Sequence, residues 1–393
     1  MHDTPKYLFL KQSATLQSYF GELCLDIPRP GMAATVFSEI EEGQIGNIRF
    51  QTGPKYNRCS FGARVLSWAA YFGAASRFSF CVKGRPLLFI VAQPPFLPLI
   101  GYLQKKMLGR QYVVWIDDVY PDTLIRKGEL RANGWVARLW MAFNRKTLGN
   151  SEHIFTLGPQ MLEVVRQYLN AGFPATIIPT WVDTDVIHPV PMSENTWAKR
   201  LGLEDKFTIM YSGNFGETHE LESLLEAASR LHARADLRFV LIGAGARWDS
   251  VRKSVAEHSH TNIIVLPWQP VEVLSESLSS ADVSFVSLGE GIEGVSMPSK
   301  TYYAMAAGAA IMASCVYESD LGEVVRRSAC GVIVRPNCVE DIVVAIQHLS
   351  SDPVKLKAFK ENARYAAVNY YSRRMNAELV RETVERISES RGR

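Results

Sequence analysis

Residues 282–314 read DVSFVSLGEGIEGVSMPSKTYYAMAAGAAIMAS, and the order of apolar runs, glycines and a single lysine in them decides the fold. Asp282 to Leu288 reads as a buried strand, alternating and then continuously apolar, closed by the loop Gly289-Glu290-Gly291. Ser299 to Gly308 predicts a helix, with Pro298 at its entrance, Ser299 as N-cap, an alanine-rich body and Gly308 as its stop. A second apolar strand, 309–313, follows at once. Strand, Gly-rich loop and helix start together present backbone N–H groups to an anion. Lys300 falls in the first helical turn, where a cation is locally unfavourable unless an anion arrives. That is a first sign of bound phosphate.

The same plan repeats upstream. Phe207 to Tyr211 is a strand running into Ser212-Gly213-Asn214-Phe215-Gly216, with a helix from Thr218 to His232 behind it. Strand 237–242 ends in Gly243-Ala244-Gly245-Ala246-Arg247 before another helix. Glycine lets a backbone approach phosphate, and the helix start faces it. Strand 262–268 ends in Trp268-Gln269-Pro270, and strand 331–334 with helix 339–350 completes this half. The last 40 residues predict two charged helices with a break near Tyr371-Ser372.

The first half alternates in the same way, which implies a mostly parallel sheet. Strands are expected at 7–10, 31–37, 45–50, 87–93, 111–116, 153–156 and 175–178, and helices at 15–24, 57–85, 96–108, 134–148 and 158–170. Asp117 and Asp118 lie just beyond the strand at 111–116, where open α/β sheets bind ligands. Helix 57–85 carries Arg58, Arg64, Arg77, Lys83 and Arg85 among Trp68, Tyr71, Phe72, Phe78 and Phe80, with no acid. Such a helix suits an interfacial segment on anionic lipid. It equally suits a core-facing helix with a solvated basic edge. Residues 181–205 hold two prolines, Pro189 and Pro191, and read as an interdomain linker. Their Asp183-Thr184-Asp185 is formally a D-x-D, read here as part of that linker rather than as a metal site.

With 393 residues the chain is too long for one ordinary core, so two domains are expected: 1–185 and 206–370, joined by 186–205 and followed by a helix at 371–393. Its 47% hydrophobic and 21% charged residues are those of a soluble globular protein. A net charge of +3 gives no argument for nucleic acid. The six cysteines show neither C-x-x-C nor a pairing pattern with histidine, and read as reduced, mostly buried thiols. MHDTPKYLFLKQS has too short an apolar run for a signal peptide. Leu87 to Leu103 is interrupted by Gln93, Pro94, Pro95 and Pro98 and does not span a bilayer.

Pro298-Ser299-Lys300, then Met305-Ala306-Ala307-Gly308, then an apolar strand, resembles the donor segment of retaining GT-B glycosyltransferases. The resemblance is nearest to the family 4-like bacterial enzymes of surface polysaccharide, O-antigen and capsule synthesis. It implies an α/β fold of two Rossmann-like domains whose parallel sheets face across a cleft. The final helix would cross back onto the first domain. It also implies roles. Gly213, Asn214, Phe215 and Gly216 would lie under the donor diphosphate with Gly243, and Arg247 and Lys300 would neutralise it. Trp268, Gln269 and Pro270 would flank the nucleobase, and Pro298, Ser299 and Tyr303 would line the donor. Asp118 would face donor and acceptor. No general base is needed where the leaving phosphate takes the acceptor proton, and neither metal nor cofactor is expected.

The chain also departs from that pattern. Many relatives carry two glutamates eight positions apart, where this sequence has Val295 and Tyr303. Glu293, or Glu290, is left as the sugar contact. The expectation is a cytoplasmic hexosyltransferase, peripheral on the inner face of the membrane. It would take a nucleotide sugar (a UDP-sugar first) and a lipid-linked or oligosaccharide acceptor. An epimerase of the same fold and a non-catalytic sugar-nucleotide-binding subunit are the alternatives. No Ser-His-Asp order, Gly-x-Ser-x-Gly, Walker loop or His-Glu-x-x-His supports a hydrolase or nucleotidase.

Overall fold

A computed structural model describes residues 4–16, 18–57, 60–215, 221–245, 247–257 and 261–389. The first half runs β1 (Tyr7–Leu10), α1 (Tyr19–Asp26), β2 (Ala34–Ser38), β3 (Gly43–Ile45), β4 (Ile48–Thr52) and α2 (Phe61–Cys81). It continues with β5 (Leu87–Val91), α3 (Pro98–Leu108), β6 (Tyr112–Trp115), α4 (Asp122–Arg126) and α5 (Trp135–Leu148). β7 (His153–Thr156), α6 (Pro159–Arg166) and β8 (Ala175–Ile177) close it. These strands form one sheet in the order β3-β4-β2-β1-β5-β6-β7-β8, parallel except where β3 meets β4. Every residue of β1, β5, β6 and β7 is buried, which is why they read as unbroken apolar runs: helices cover both faces. Residues 45–50, expected as one strand, instead turn back at Gly46 (φ 57°) to make the β3–β4 hairpin. The short antiparallel β3 blunts the sheet edge.

The second half runs α7 (Thr196–Arg200), β9 (Phe207–Asn214), α8 (Glu222–Arg230), β10 (Leu237–Ala244), α9 (Trp248–Glu257) and β11 (Ile263–Leu266). Then come α10 (Leu274–Ser279), β12 (Val283–Ser287), α11 (Lys300–Ala306), β13 (Ala310–Ser314), α12 (Asp320–Ser328) and β14 (Gly331–Val334). The helices α13 (Val339–Ser351), α14 (Pro353–Tyr370) and α15 (Arg373–Glu389) end the chain. The six-stranded sheet, order β11-β10-β9-β12-β13-β14, is wholly parallel. The helices α4, α7, α10 and α12 have no counterpart in the sequence reading.

The chain divides into two compact units. One holds 1–179, 294–296 and 373–393, and the other 180–293 and 297–372. Residues 186–205, expected as a linker, are therefore built into the second unit. Asn195 is the reason: its side chain caps α7 at Ala198 N (2.8 Å) and donates to the Glu276 carbonyl (2.7 Å), while Trp197 is buried. Val182 pairs with Ser372, and the Arg364 guanidinium donates to the carbonyls of Thr184, Ile187 and Ala306. Within the first unit α15 lies against α1, where Arg373 pairs with Asp26 at 2.7 Å and Arg29 with Glu385 at 2.5 Å.

The long basic helix is α2. Trp68, Tyr71 and Ala75 face the core, the Tyr71 hydroxyl donates to the Phe37 carbonyl, and Phe78 stacks on Phe37 at 4.7 Å. Most of its aromatic residues are thus committed to packing. Arg58 and Cys59 lie outside the described residues. Cys24, Cys315 and Cys330 are buried free thiols, whereas Cys81 is exposed. Among the described residues no helix is long and apolar enough to cross a membrane.

Candidate functional site

The carboxyl ends of β9 and β10 pair through Gly213 with Gly243 and Asn214 with Ala244. Gly243 sits at φ 150°, and a Cβ there would lie 1.9 Å from the Gly213 oxygen. Its missing side chain is demanded by the neighbouring strand, not by a ligand. At Gly213 the missing side chain makes room for Lys300, whose Nζ would be 2.9 Å from a Cβ.

Lys300 Nζ donates to the Tyr211 hydroxyl at 2.8 Å and stands 4.0 Å from the centre of its ring. The Tyr211 hydroxyl donates in turn to the Asn214 carbonyl at 2.7 Å. Burial is the sole cause that brings the Lys300 ammonium down to about 7, and burial pushes the Tyr211 phenol up. Among the described residues no carboxylate reaches Lys300. Ser299 does not cap α11: its side chain is exposed and makes no cap bond, while Thr301 Oγ1 donates to the Pro298 carbonyl at 2.8 Å. Ser299 is already in helical conformation (φ −59°, ψ −29°), which turns its hydroxyl away from the cap position.

The Phe215 side chain is fully buried, stacked on Trp248 at 5.4 Å, so only its backbone can touch a ligand. Its carbonyl accepts from Arg247 N at 3.1 Å, which ties the second glycine turn to the first. The Arg247 guanidinium pairs with Glu222 on α8 (Nη1 to Oε2, 2.9 Å). Gly216 lies outside the described residues. Lys300, Tyr211, Gly213, Asn214, Gly243 and the Phe215–Arg247 turn thus form one cluster.

The remaining donor residues are not joined to this cluster by these contacts. Trp268 is 55% exposed and Pro270 is exposed, whereas Gln269 is tethered, accepting from Trp197 Nε1 at 2.9 Å and donating to the Pro267 carbonyl at 2.8 Å. Glu293 accepts from Gly291 N at 3.1 Å, and Tyr303 is half-buried on α11. Val295, where many relatives have an acid, is fully buried. Asp183 Oδ1 accepts from the backbone of Asp185 and Val186, a turn-capping use of that carboxylate. Among the described residues no group of three or more His, Cys, Asp or Glu could hold a metal ion.

In the first unit the two acids after β6 have different environments. Asp117 accepts from Lys11 Nζ (2.8 Å), the Tyr19 hydroxyl (2.6 Å) and Trp115 Nε1 (2.8 Å). It is fully engaged as a structural anion. Asp118 is raised to about 6, by burial first and by Asp117 second, while a hydrogen bond from Ser296 works against the rise. Val119 N donates to the Val295 carbonyl at 3.0 Å, which brings residues 294–296 into this unit. Sequence reading missed Lys11, Tyr19, Tyr211, Glu222 and Ser296. The strand aromatic Tyr211, four residues before Phe215 and facing inward, carried no signal separable from ordinary core.

Residues 193–366 match the model of the family described as "Glycosyl transferases group 1". The chain is 25% identical over 244 residues to the "Probable glycosyltransferase WbjE" of Pseudomonas aeruginosa, covering 62% of this chain and 61% of that protein. It is 27% identical over 250 residues to WcaI of Escherichia coli K12, named as a colanic acid biosynthesis glycosyl transferase, with the same shares of 62% and 61%. The alignments therefore span about 61% of the length of these curated relatives. Among solved structures, HepE of Anabaena in complex with UDP-glucose superposes with a TM-score of 0.72 at 14% identity, covering 96% of this chain and 99% of that one. The two share their fold.

Proposed function

We propose that this chain, whose residues 193–366 match the group 1 glycosyl transferase model and whose two-sheet fold is that of HepE, is a retaining hexosyltransferase of cell-surface polysaccharide assembly. Its donor is a nucleotide-diphosphate sugar, a UDP-sugar first, and its acceptor a lipid-linked saccharide at the cytoplasmic face of the membrane. The observation that carries this reading is Lys300: a sheltered ammonium beside Gly213, hydrogen-bonded only to a phenol among the described groups, and lowered to about 7. A diphosphate restores its charge. WcaI, named for colanic acid synthesis, supports the polysaccharide assignment, and the UDP-glucose bound to HepE supports the donor.

In the reaction an acceptor hydroxyl oxygen bonds to the sugar C1 while the bond from C1 to the β-phosphate oxygen breaks. The hydroxyl proton passes to the leaving phosphate. Charge grows on that phosphate as the bond breaks, so Lys300 stabilises the transition state more than the bound donor. Asp118, protonated below about 6 and ionised above, would orient the acceptor hydroxyl. The absence of an acid at Val295 and Tyr303 favours one second reading, donor binding without turnover.

The test is titration of the purified chain with UDP-, GDP- and dTDP-hexoses, followed by sugar release and transfer in the presence of chelator. Tight binding of one donor with slow release of its sugar, insensitive to chelator, is expected. Binding without release would leave only the non-catalytic reading, and no binding at all would remove both.

A further inference from the structure

The helices α2, α3 and α5 lie side by side in the first unit. Gln104 Nε2 on α3 donates to Ser79 Oγ on α2 at 2.7 Å, and the Lys106 and Lys146 ammoniums stand 5.8 and 5.3 Å from the same Tyr102 ring. Phe96, just before α3, packs on Trp140 of α5 at 4.7 Å. Each helix buries one side, through Tyr71 and Ala75, Ile100 and Gln104, and Ala137 and Leu148.

The opposite side is apolar where solvent-facing helices are normally polar. Trp135 is 77% exposed, Leu66 73%, Met107 68% and Leu139 66%. Trp135 and Leu139 are four residues apart, and so are Leu103 and Met107, so each pair forms a stripe along its helix. Exposed cations stand among them: Lys106 on α3, Arg138 and Lys146 on α5, and Arg77 on α2. Together the three helices carry seven Lys/Arg and no Asp or Glu. By contrast α15, in the same unit, carries four of each sign.

From this we propose that the exposed face of α2, α3 and α5 docks on an anionic lipid surface. It rests on the lipid-linked reading of the acceptor for its purpose, and on exposure and charge for its location. A wide apolar face seeks burial, and an acid-free set of cations seeks anions. A bilayer rich in anionic headgroups supplies both at once. A second copy of this face would bring cations against cations. The sequence points to α2 alone as the membrane element, but most of its aromatic residues are packed inward. The inserting side chains come chiefly from α5 and α3.

The test is sedimentation of the full chain, without any sugar nucleotide, with phosphatidylcholine vesicles and with vesicles of equal parts phosphatidylcholine and phosphatidylglycerol. The wild type should bind the mixed vesicles and ignore the neutral ones. At about 1 kcal/mol per cation, or roughly fivefold, K106Q/R138Q/K146Q should weaken partitioning by about a hundredfold at low salt. W135S/L139S should weaken it at low and high salt alike. R374Q on α15 should change nothing, and unchanged thermal midpoints would show that the variants fold. The proposal is overturned if the wild type ignores mixed vesicles, or if R374Q weakens binding as much as the triple change. It also falls if the chain is a dimer in solution that W135S/L139S breaks into monomers. Vesicle binding with no donor turnover would sink the proposed activity and keep the surface; the reverse would sink the surface alone.

Discussion

Lys11 and Lys300 are both sheltered lysines, one in each unit, and they are solved in opposite ways. Lys11 follows β1 and has its anion supplied by the protein, 2.8 Å away in Asp117, with the Tyr19 hydroxyl completing the set. Among the described residues Lys300, at the start of α11, has only the Tyr211 hydroxyl and ring. A buried charge needs a partner or it neutralises. The first lysine therefore holds structure together, whereas the second has no counter-anion among the described residues.

The comparison breaks most visibly at Lys300→Met. Transfer should fall by about a hundredfold to a thousandfold, read as kcat/KM with the preferred donor. Thermal stability without ligand should rise, by about 2–4 °C for each kcal/mol recovered. The sign follows from linkage: the unfolded lysine stays protonated to its ordinary 10.5, and the folded one only to about 7. The unfolded state thus binds more protons between these values. Wild-type stability rises with pH across that window and carries the full penalty below about 7; the methionine variant should lack that slope. Wild-type turnover in this variant would remove the site assignment.

Asp117→Ala should do the reverse. Leaving Lys11 nearly buried without its carboxylate costs about 3 kcal/mol, measured by chemical denaturation, with donor titration unchanged in the folded fraction. A neutral result would mean that Lys11 finds water and that the two lysines are not different in kind. Arg247→Ala is the smallest of the three. Its guanidinium is shared with exposed Glu222, a surface pair of little worth by itself, so stability should hardly move while transfer drops about tenfold. A larger loss than at Lys300 would reverse the ranking of the two cations.

Most of the strand plan was legible, since a parallel sheet covered on both faces leaves unbroken apolar runs such as Leu87–Val91 and Ala310–Ser314. What failed was local. The turn at Gly46 hides inside a stretch that otherwise alternates like one strand. The prolines of 186–205 look like a linker because the contacts of Asn195 with Glu276 are made 81 residues away. That Lys300 and the glycines cluster was legible because charge and missing side chains show in a sequence. The burial of the Phe215 side chain was not legible, because an aromatic in a Gly-rich turn is the same letter whether it faces solvent or core. Tyr211 and Ser296 matter only through a neighbour's environment, and no spacing encodes that.

The pairing of Val182 with Ser372, backed by Val182 N donating to the Tyr371 carbonyl at 3.1 Å, has an evolutionary consequence. Apart from residues 294–296, which belong to the first unit, the chain enters the second unit and leaves it through adjacent residues of a single bridge. A gene segment spanning 180–372 can therefore be exchanged with that of a relative through two junctions that meet at one point. Arg364 travels with the segment and keeps its incoming strand anchored from inside. The second unit is in this sense a portable cassette, and hybrids cut at these residues are the natural way to transplant it.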